Sequence, residues 1–314
     1  MMSHDEIVNW LLEGDVSIRF RVHRDLLHSD CVQLSALQKK IGREGWASIF
    51  LARQRDDGHW GRGFYQPKWI STHYTLLDLK ELCVDVHTHK IRTVIDTILH
   101  ENTAEDGGVN PAGTIKESDV CVNGMFLNYA CYFGTDEDKL KSVADFILSQ
   151  RLDDGGFNCR LNRSGARHSS LHSTICVAEG IFQYLKQGYT SKSTRLEDAM
   201  RSSADFMLRH RLFRSDRTGE IIHRDFLRLT FPCRWRYDIF RALEFFSVSG
   251  LAYDGRMDEA LDILRSKRNK RGLWKMQAHH PGEVHTVMEK AGTESRWNTL
   301  RALKILSWAD GNRD

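Results

Sequence analysis

Three residues of this 314-residue chain combine side-chain types and spacing that suit a zinc ion. Asp119 and Cys121 stand two residues apart, and His172 follows about fifty residues later. A carboxylate, a thiolate and an imidazole are common zinc ligands, and three protein ligands leave the fourth position open for a substrate. Zinc would lower the pKa of an incoming thiol and hold it as a nucleophile. We therefore expect Asp119, Cys121 and His172 to be both metal ligands and catalytic residues, with His168 as the rival ligand.

The same residues also fit a purely structural role. Ser118 or Asp119 would then cap the helix that follows, since a short polar side chain accepts hydrogen bonds from the free amides of a first turn. Cys121 would be an ordinary core residue. A histidine near a helix start is often a cap or a hydrogen-bonded core group. The sequence leaves zinc and the structural role open.

These residues lie within a repeat whose period is about fifty residues. Its mark is a turn between two helix-like stretches, and the best copies run from Gln54 to Gly61 and from Gln150 to Phe157. In each copy a polar residue ends a helix, an Asp-Gly pair makes a positive-φ turn, and an aromatic residue packs back beneath it. The turn glycines are Gly14, Gly58, Gly107, Gly155, Gly219 and Gly272. Units of this length are stacked into arrays or closed rings, because one unit cannot bury its own apolar face.

Each turn separates an amphipathic helix from a more apolar one. The amphipathic set predicts an outer layer at 5–13, 33–54, 89–101, 137–150, 191–211 and 255–268. The apolar set predicts an inner layer at 16–28, 71–84, 119–134, 170–187, 235–249 and 295–308. Strand signals are almost absent. We therefore predict an all-α fold, a closed (α/α)6 toroid that forms one domain over 1–314, with an axial cavity lined by the starts of the inner helices.

The turns resemble the Gln-Trp repeats of the terpenoid cyclase and protein prenyltransferase superfamily, whose members fold as α/α barrels. The resemblance covers residues 5–308 and is closest to short bacterial proteins described as squalene-cyclase-like or prenyltransferase-like. Squalene-type cyclases protonate an alkene with an acid of an Asp-x-Asp-Asp motif, whereas protein prenyltransferases bind zinc through Asp-x-Cys and a histidine of the next repeat. This chain has Asp119, Cys121 and Val122 at the motif. Because a thiol cannot replace the strong acid, the motif argues against the cyclase mechanism.

The resemblance therefore implies a zinc-dependent, prenyltransferase-like enzyme. It would transfer an isoprenoid or similar group, carried as a diphosphate or not, to a metal-held nucleophile in a hydrophobic cavity. Lys116 matches a diphosphate-contacting lysine of the family, but the companion arginine is missing because position 113 is glycine. Two alternatives stay open: an isoprenoid cyclase with a different acid, and a non-catalytic toroid that binds a lipid, a polyanion or a protein partner. The need for a separate helical subunit, which the prenyltransferases use, also stays open.

Basic and aromatic residues near the predicted inner-helix starts are candidates for substrate binding. Guanidinium groups suit phosphate or carboxylate, and aromatic faces suit a cation. In the alternative interpretation, the arginines pair with acids such as Asp238 or Glu289 and tie repeats together. The candidates are His73, Tyr74, Lys116, Arg167, His168, Arg236, Tyr237, Arg296 and Trp297, beside further basic residues at Arg163 and Arg234.

Composition sets wider limits on the class of protein. With 45 basic and 42 acidic residues, the net charge of +3 neither favours nucleic acid nor excludes an anionic substrate. Seven cysteines without paired spacing argue against a disulfide framework. No apolar run is long enough to span a bilayer, so we expect a cytoplasmic protein, with peripheral membrane contact left open. Polysaccharide-active enzymes also use α/α toroids, but their repeats lack these turns, which ranks that class low.

Overall fold

The computed structural model describes residues 1–112, 115–160 and 164–313, so position 113 and Arg163 lie outside the described residues. Within these ranges the chain forms thirteen α-helices, and its only β-structure consists of isolated bridges. In chain order the helices are α1 (His4–Leu12), α2 (Val16–Asp25), α3 (Cys31–Ile41), α4 (Gly45–Leu51), α5 (Thr72–Glu81), α6 (His89–Asn102), α7 (Val120–Tyr132), α8 (Glu137–Ser149), α9 (Leu171–Lys186), α10 (Ser193–Arg209), α11 (Ile239–Val248), α12 (Asp258–Ser266) and α13 (Arg296–Asp310).

The helices alternate between two layers around a common axis. The inner layer contains α2, α5, α7, α9, α11 and α13, and the other helices form the outer layer, where α3 and α4 together make one unit. Helix α7 buries eleven of its thirteen residues, whereas α10 buries one apolar stripe. No helix built from the described residues is both long and apolar enough to cross a bilayer. The predicted all-α toroid is confirmed. The prediction that 1–314 form a single domain stays a prediction.

The second outer unit departs from the prediction of one helix at 33–54. Helix α3 ends at Ile41, and α4 begins at Gly45, whose backbone φ is +72°. Asp15 accepts a hydrogen bond from the Trp46 amide at 2.8 Å. A Cβ at Gly45 would lie 2.2 Å from the same carboxylate. The close approach of Asp15 therefore requires glycine at this position, and the chain turns there instead of continuing the helix.

The repeated turns lock each inner helix to the outer helix before it. In the second repeat the Gln54 side chain donates to the Gly58 carbonyl at 2.8 Å, and the Trp60 indole donates to the Phe50 carbonyl at 2.7 Å. The Trp60 amide donates to Thr72 Oγ1 at 3.0 Å. Equivalent amide contacts, also 3.0 Å long, join Phe157 to Thr174 and Trp274 to Thr299. The sequence pattern of the turns thus corresponds to a repeated hydrogen-bond unit.

The first and last helices close the ring. Helices α1 and α2 pack against α13, and the Met2 amide donates to the Arg271 carbonyl at 3.0 Å. Arg296, at the start of α13, donates from Nε to the Trp10 carbonyl at 2.8 Å and pairs with Glu13 at 3.2 Å. Arg296 therefore ties the last repeat to the first, which is the structural role that the sequence left as an alternative to substrate binding.

The two ends of the ring differ in loop length. Connections from an inner helix to the next outer helix contain nine residues or fewer. Except between α1 and α2, connections from an outer to an inner helix contain seventeen to twenty-nine residues. We call these the short-turn end and the loop end. Binding and catalytic residues are concentrated on loops held by a rigid scaffold, so the loop end is the first place to look for a site.

Candidate active site

A cleft of about 700 Å³ opens at the loop end. Its walls are the starts of α9 and α11, the end of α10, and loop residues within 222–230 and 278–281. Ionisable side chains are concentrated there, and five of the 15 histidines of the chain line it. The histidines, arginines and aromatic residues on the walls are His172, His210, His223, His279, His280, Arg228, Arg236, Phe206, Phe226 and Tyr237. A concave site with converging ionisable groups is the candidate active site.

His172 lies in the first turn of α9 and is held as a hydrogen-bond donor. Its Nδ1 accepts from the Tyr237 amide at 2.8 Å, which assigns the proton of the neutral ring to Nε2. Phe226 and Trp235 pack edge-on to the ring, with centroids 5.3 and 5.1 Å away. Burial, and then the positive charge of Arg236, lowers the pKa of His172 to about 4. At neutral pH this residue therefore offers an uncharged N–H.

His210, directly after α10, has the opposite arrangement. Its Nδ1 donates to the Arg214 carbonyl at 2.8 Å, which leaves a lone pair on Nε2. Phe206 packs edge-on to the ring at 4.7 Å, and the side chain is half-buried. An imidazole that is fixed through one nitrogen and free at the other is suited to act as a general base. The cleft thus contains one imidazole that donates and one that accepts.

Arg236 supplies positive charge to the cleft. Its guanidinium lies 4.8 Å from the Trp235 ring, and its Nε is buried without a hydrogen-bond partner. No carboxylate of the described residues forms an ion pair with Arg236, whereas Arg228 is paired with Asp225 at 3.0 Å. Burial, and then the charge of Arg236, lowers the pKa of His280 to about 4. The charge of Arg236 thus contributes to the lowered pKa of both His172 and His280, after burial, and an arginine that no described carboxylate neutralises suits the cleft to an anionic ligand.

The predicted zinc ligands do not come together. Asp119 precedes α7, and Cys121 in its first turn hydrogen-bonds to the Cys159 thiol. That contact and burial raise the pKa of the Cys121 thiol. Nδ1 of His172 already accepts a hydrogen bond from the Tyr237 amide. The described part of the chain has no group of three or more His, Cys, Asp or Glu residues placed to hold a metal. The described residues therefore give no support to zinc at this position, and zinc binding stays a prediction.

The predicted substrate-binding residues fall in several places. Arg236 and Tyr237 line the cleft, but the buried Tyr237 hydroxyl donates to the Leu212 carbonyl. Trp297 is buried and stacks on Phe231, with centroids 4.1 Å apart. Three further candidates are exposed and do not line the cleft: Lys116, Arg167 and His168. Of the predicted set, Arg236 is therefore the residue whose polar group remains available to a ligand in the cleft.

His73 and Tyr74 lie inside the ring. Both are fully buried, and the Tyr74 hydroxyl is 3.0 Å from the Tyr65 hydroxyl. Nδ1 of His73 is 3.3 Å from the Tyr129 hydroxyl, and its Nε2 has no hydrogen-bond partner. Burial lowers the pKa of His73 from its usual 6.5 to about 3.

We expect acid to destabilise the protein through His73. Between pH 6.5 and 3 the unfolded chain binds a proton at this residue and the folded chain does not, so the free energy of unfolding decreases as the pH falls through this window. Each pKa unit corresponds to about 1.4 kcal/mol. Urea unfolding at a series of pH values should show a flatter acid dependence for His73→Phe. His100→Phe, on the exposed face of α6, should keep the wild-type slope, and an unchanged slope in H73F would contradict the expectation.

The axis of the ring holds a second cavity, of about 310 Å³. It is lined by the later turns of the inner helices, whereas the sequence predicted their starts. Eight basic and five acidic side chains line it. The prediction of a hydrophobic axial cavity is therefore wrong, because ion pairs between inner helices occupy the axis. One example is Glu244 of α11, which pairs with Arg21 of α2 and Arg301 of α13.

Comparison with known proteins identifies a fold relative. No known protein family and no curated protein matches the chain. A solved structure of a polysaccharide lyase matches with a TM-score of 0.51 and 13% identity, over 98% of this chain and 97% of that chain. At this identity the similarity shows the fold, an α/α toroid, and not the reaction.

The prediction of a zinc-dependent prenyltransferase is wrong. The similar structure belongs to a different reaction class, the axis is charged, and Asp119, Cys121 and His172 do not meet. The cyclase and the non-catalytic toroid, which were its alternatives, are not retained. Nothing in the comparisons supports an isoprenoid ligand or a helical partner subunit, and membership of the terpenoid cyclase superfamily is not confirmed. The fold is similar to that of a polysaccharide lyase, a class that the turns ranked low.

Proposed function

We propose that the protein is a lyase that cleaves an acidic saccharide by β-elimination in the loop-end cleft. The observation that carries this proposal is the set of three side chains on the cleft wall. His210 has a lone pair on Nε2, His172 has a proton on Nε2, and Arg236 has a charge that no described carboxylate neutralises. The similarity in fold to a polysaccharide lyase supports the same reaction class.

The chemistry requires stabilisation of negative charge before a proton can leave carbon. The hydrogen on the carbon next to a sugar carboxylate is weakly acidic while the carboxylate keeps its full charge. Arg236 can bind both carboxylate oxygens through its planar fork, and the neutral His172 N–H can donate to one of them. Donors fixed in a partly buried cleft stabilise the charge that develops in the transition state.

His210 then performs both proton transfers. Its Nε2 takes the proton from the carbon next to the carboxylate, as a general base. The electron pair of that C–H bond forms the new C=C bond, while the bond from the adjacent carbon to the glycosidic oxygen breaks. The leaving oxygen receives the proton from the His210 imidazolium, which restores the base. Because one residue makes both transfers, the proton and the leaving oxygen must lie on the same face of the sugar ring.

The product provides a direct test, because an alkene conjugated with a carboxylate absorbs ultraviolet light. The full chain is incubated with polymers of glucuronate and of mannuronate, in which the C5 hydrogen and the glycosidic oxygen at C4 lie on the same face of the ring, while absorbance is recorded. We expect absorbance to rise with at least one polymer, and not with the same polymer after its carboxylates have been reduced to alcohols. New reducing ends without absorbance would indicate hydrolysis, and either that result or no cleavage of any polymer would contradict the proposal.

Arg236→Gln should lower kcat/KM for the cleaved polymer by about tenfold or more. A hydrogen bond to a charged group contributes about 1.5–3 kcal/mol, and glutamine keeps part of the shape without the charge. Arg167→Gln is the matched control, because Arg167 is exposed and does not line the cleft. Equal losses in the two variants would exclude a specific role for Arg236.

A further inference from the structure

The axial cavity takes no part in the proposed elimination, which occurs in the loop-end cleft. It opens at the short-turn end and is lined by the later turns of the inner helices and by the loop segment Phe231, Pro232, Cys233 and Arg234. Thr230, directly before this segment, and Asp238, four residues after it, line the loop-end cleft. Residues 231–234 therefore separate the axial cavity from the loop-end cleft, and the two share no lining residue.

Three buried arginines of the axial cavity retain unused donors. Arg21 and Arg301 both pair with Glu244, at 2.7 and 2.6 Å, and Arg234 pairs with Asp78 at 3.2 Å. Nη1 of Arg301 and Nε of Arg234 are nevertheless buried without a hydrogen-bond acceptor, and Nε of Arg21 is 3.6 Å from the Asp25 carboxylate, beyond hydrogen-bond distance. The three residues are only 4%, 3% and 6% exposed. Donors buried on charged groups are costly to leave unpaired, so a ligand with acceptor oxygens would be stabilised here.

The charges of the cavity also point to an anion. The eight basic side chains on its walls exceed the acidic ones by three. Lys186 forms no ion pair among the described residues, and Lys304 lies 3.7 Å from Asp25, which is already paired with Arg21 and Arg24. Burial, and then neighbouring cations, lowers the pKa of both lysines. The surplus is larger than a single carboxylate would neutralise.

We propose that the axial cavity binds a phosphate group, either as inorganic phosphate or as a monoester of a small molecule. A phosphate carries about 1.5 to 2 negative charges at neutral pH and three strong acceptor oxygens, which match the surplus of cations and the three unused donors. The apolar side chains of Leu77, Phe182 and Phe245 also line the cavity and would contact the organic part of an ester. The volume of about 310 Å³ is at the lower end of small-molecule sites and suits a ligand of this size.

Calorimetric titration of the full chain with inorganic phosphate, at constant ionic strength, tests the proposal. Wild type should bind, and the Lys186→Met, Lys304→Met double variant should bind about tenfold more weakly, because charge-assisted contacts are lost. This variant leaves no carboxylate unpaired, since Asp25 keeps Arg21 and Arg24. Lys39→Met, on the exposed side of α3, should bind as wild type does.

Further titrations show where phosphate binds and whether the ligand is the free anion or a monoester. Arg236→Gln in the loop-end cleft should leave phosphate affinity unchanged, so failure of the elimination proposal would not affect this test. Glycerol phosphate that binds more tightly than inorganic phosphate would identify a monoester ligand, and equal affinities would identify the free anion. If the double variant does not fold, Lys186→Met alone is used. No binding by wild type, or equal affinity in wild type and the lysine variants, would overturn the proposal.

Discussion

Replacing Gly180 by alanine is expected to lower the free energy of unfolding by about 3 kcal/mol. Gly180 of α9 faces Gly124 of α7, where the backbones of the two inner helices come close together. A Cβ at Gly180 would lie 2.3 Å from the Gly124 carbonyl oxygen and 3.1 Å from its carbonyl carbon. Both atoms are backbone, so no side-chain rotation relieves the overlap and the helices must separate. The better helix propensity of alanine, about 1 kcal/mol, offsets only part of this cost.

Urea unfolding of Gly180→Ala against wild type measures this loss. Gly42→Ala provides the control, because a Cβ there meets only the Leu51 side chain, at 3.7 Å, and the backbone φ is not positive. Its free energy of unfolding should stay within about 0.5 kcal/mol of wild type. Wild-type stability in G180A would mean that α7 and α9 are not in contact through their glycines.

Replacing His210 by alanine is expected to reduce kcat for elimination by a factor of about 10² to 10⁴, the usual contribution of a general base. His210 takes the proton and returns it in the proposed reaction. The carboxylate of the substrate is bound by Arg236 and His172, so KM should change little. A loss confined to kcat separates a residue that transfers protons from one that binds substrate.

His168→Ala is the matched control for His210, since His168 is an exposed histidine that does not line the cleft. Its rate of alkene formation should equal that of wild type. Circular dichroism of both variants establishes that the helices are retained. A folded H210A protein with wild-type kcat would contradict the proposed role of His210 as the base.

The fold could be predicted because its signals are local. The Gln54 turn and its copies place a glycine, a polar residue and an aromatic residue within eight positions. Gln54 donates to the Gly58 carbonyl, and Trp60 donates to the Phe50 carbonyl, ten positions before it. Five of the six predicted turn glycines have a positive φ, the exception being Gly14, which lies in the short connection between α1 and α2. The helix break at Gly45 was missed because its cause, the Asp15 carboxylate, lies thirty positions earlier.

The site could be predicted only in part, because it depends on contacts between distant loops. His172 does lie at an inner-helix start, as the repeat predicted, but its lone pair meets the Tyr237 amide of a later repeat. Cys121 likewise meets Cys159 from another loop. The repeat predicts where on the chain a helix begins, and not which side of the helix a residue occupies. The tautomer of His210 depends on a single carbonyl contact, which no sequence pattern reports.

The closure of the ring also determines how the protein should come apart. Because α1 and α2 pack against α13, every helix pair has a neighbour on both sides. An open stack of repeats has two outermost units, from which unfolding can begin and spread along the stack. Here the pairs that contain the first and last helices are enclosed like the others, and releasing any pair breaks two interfaces together. The toroid should therefore melt in one cooperative transition instead of peeling from an end.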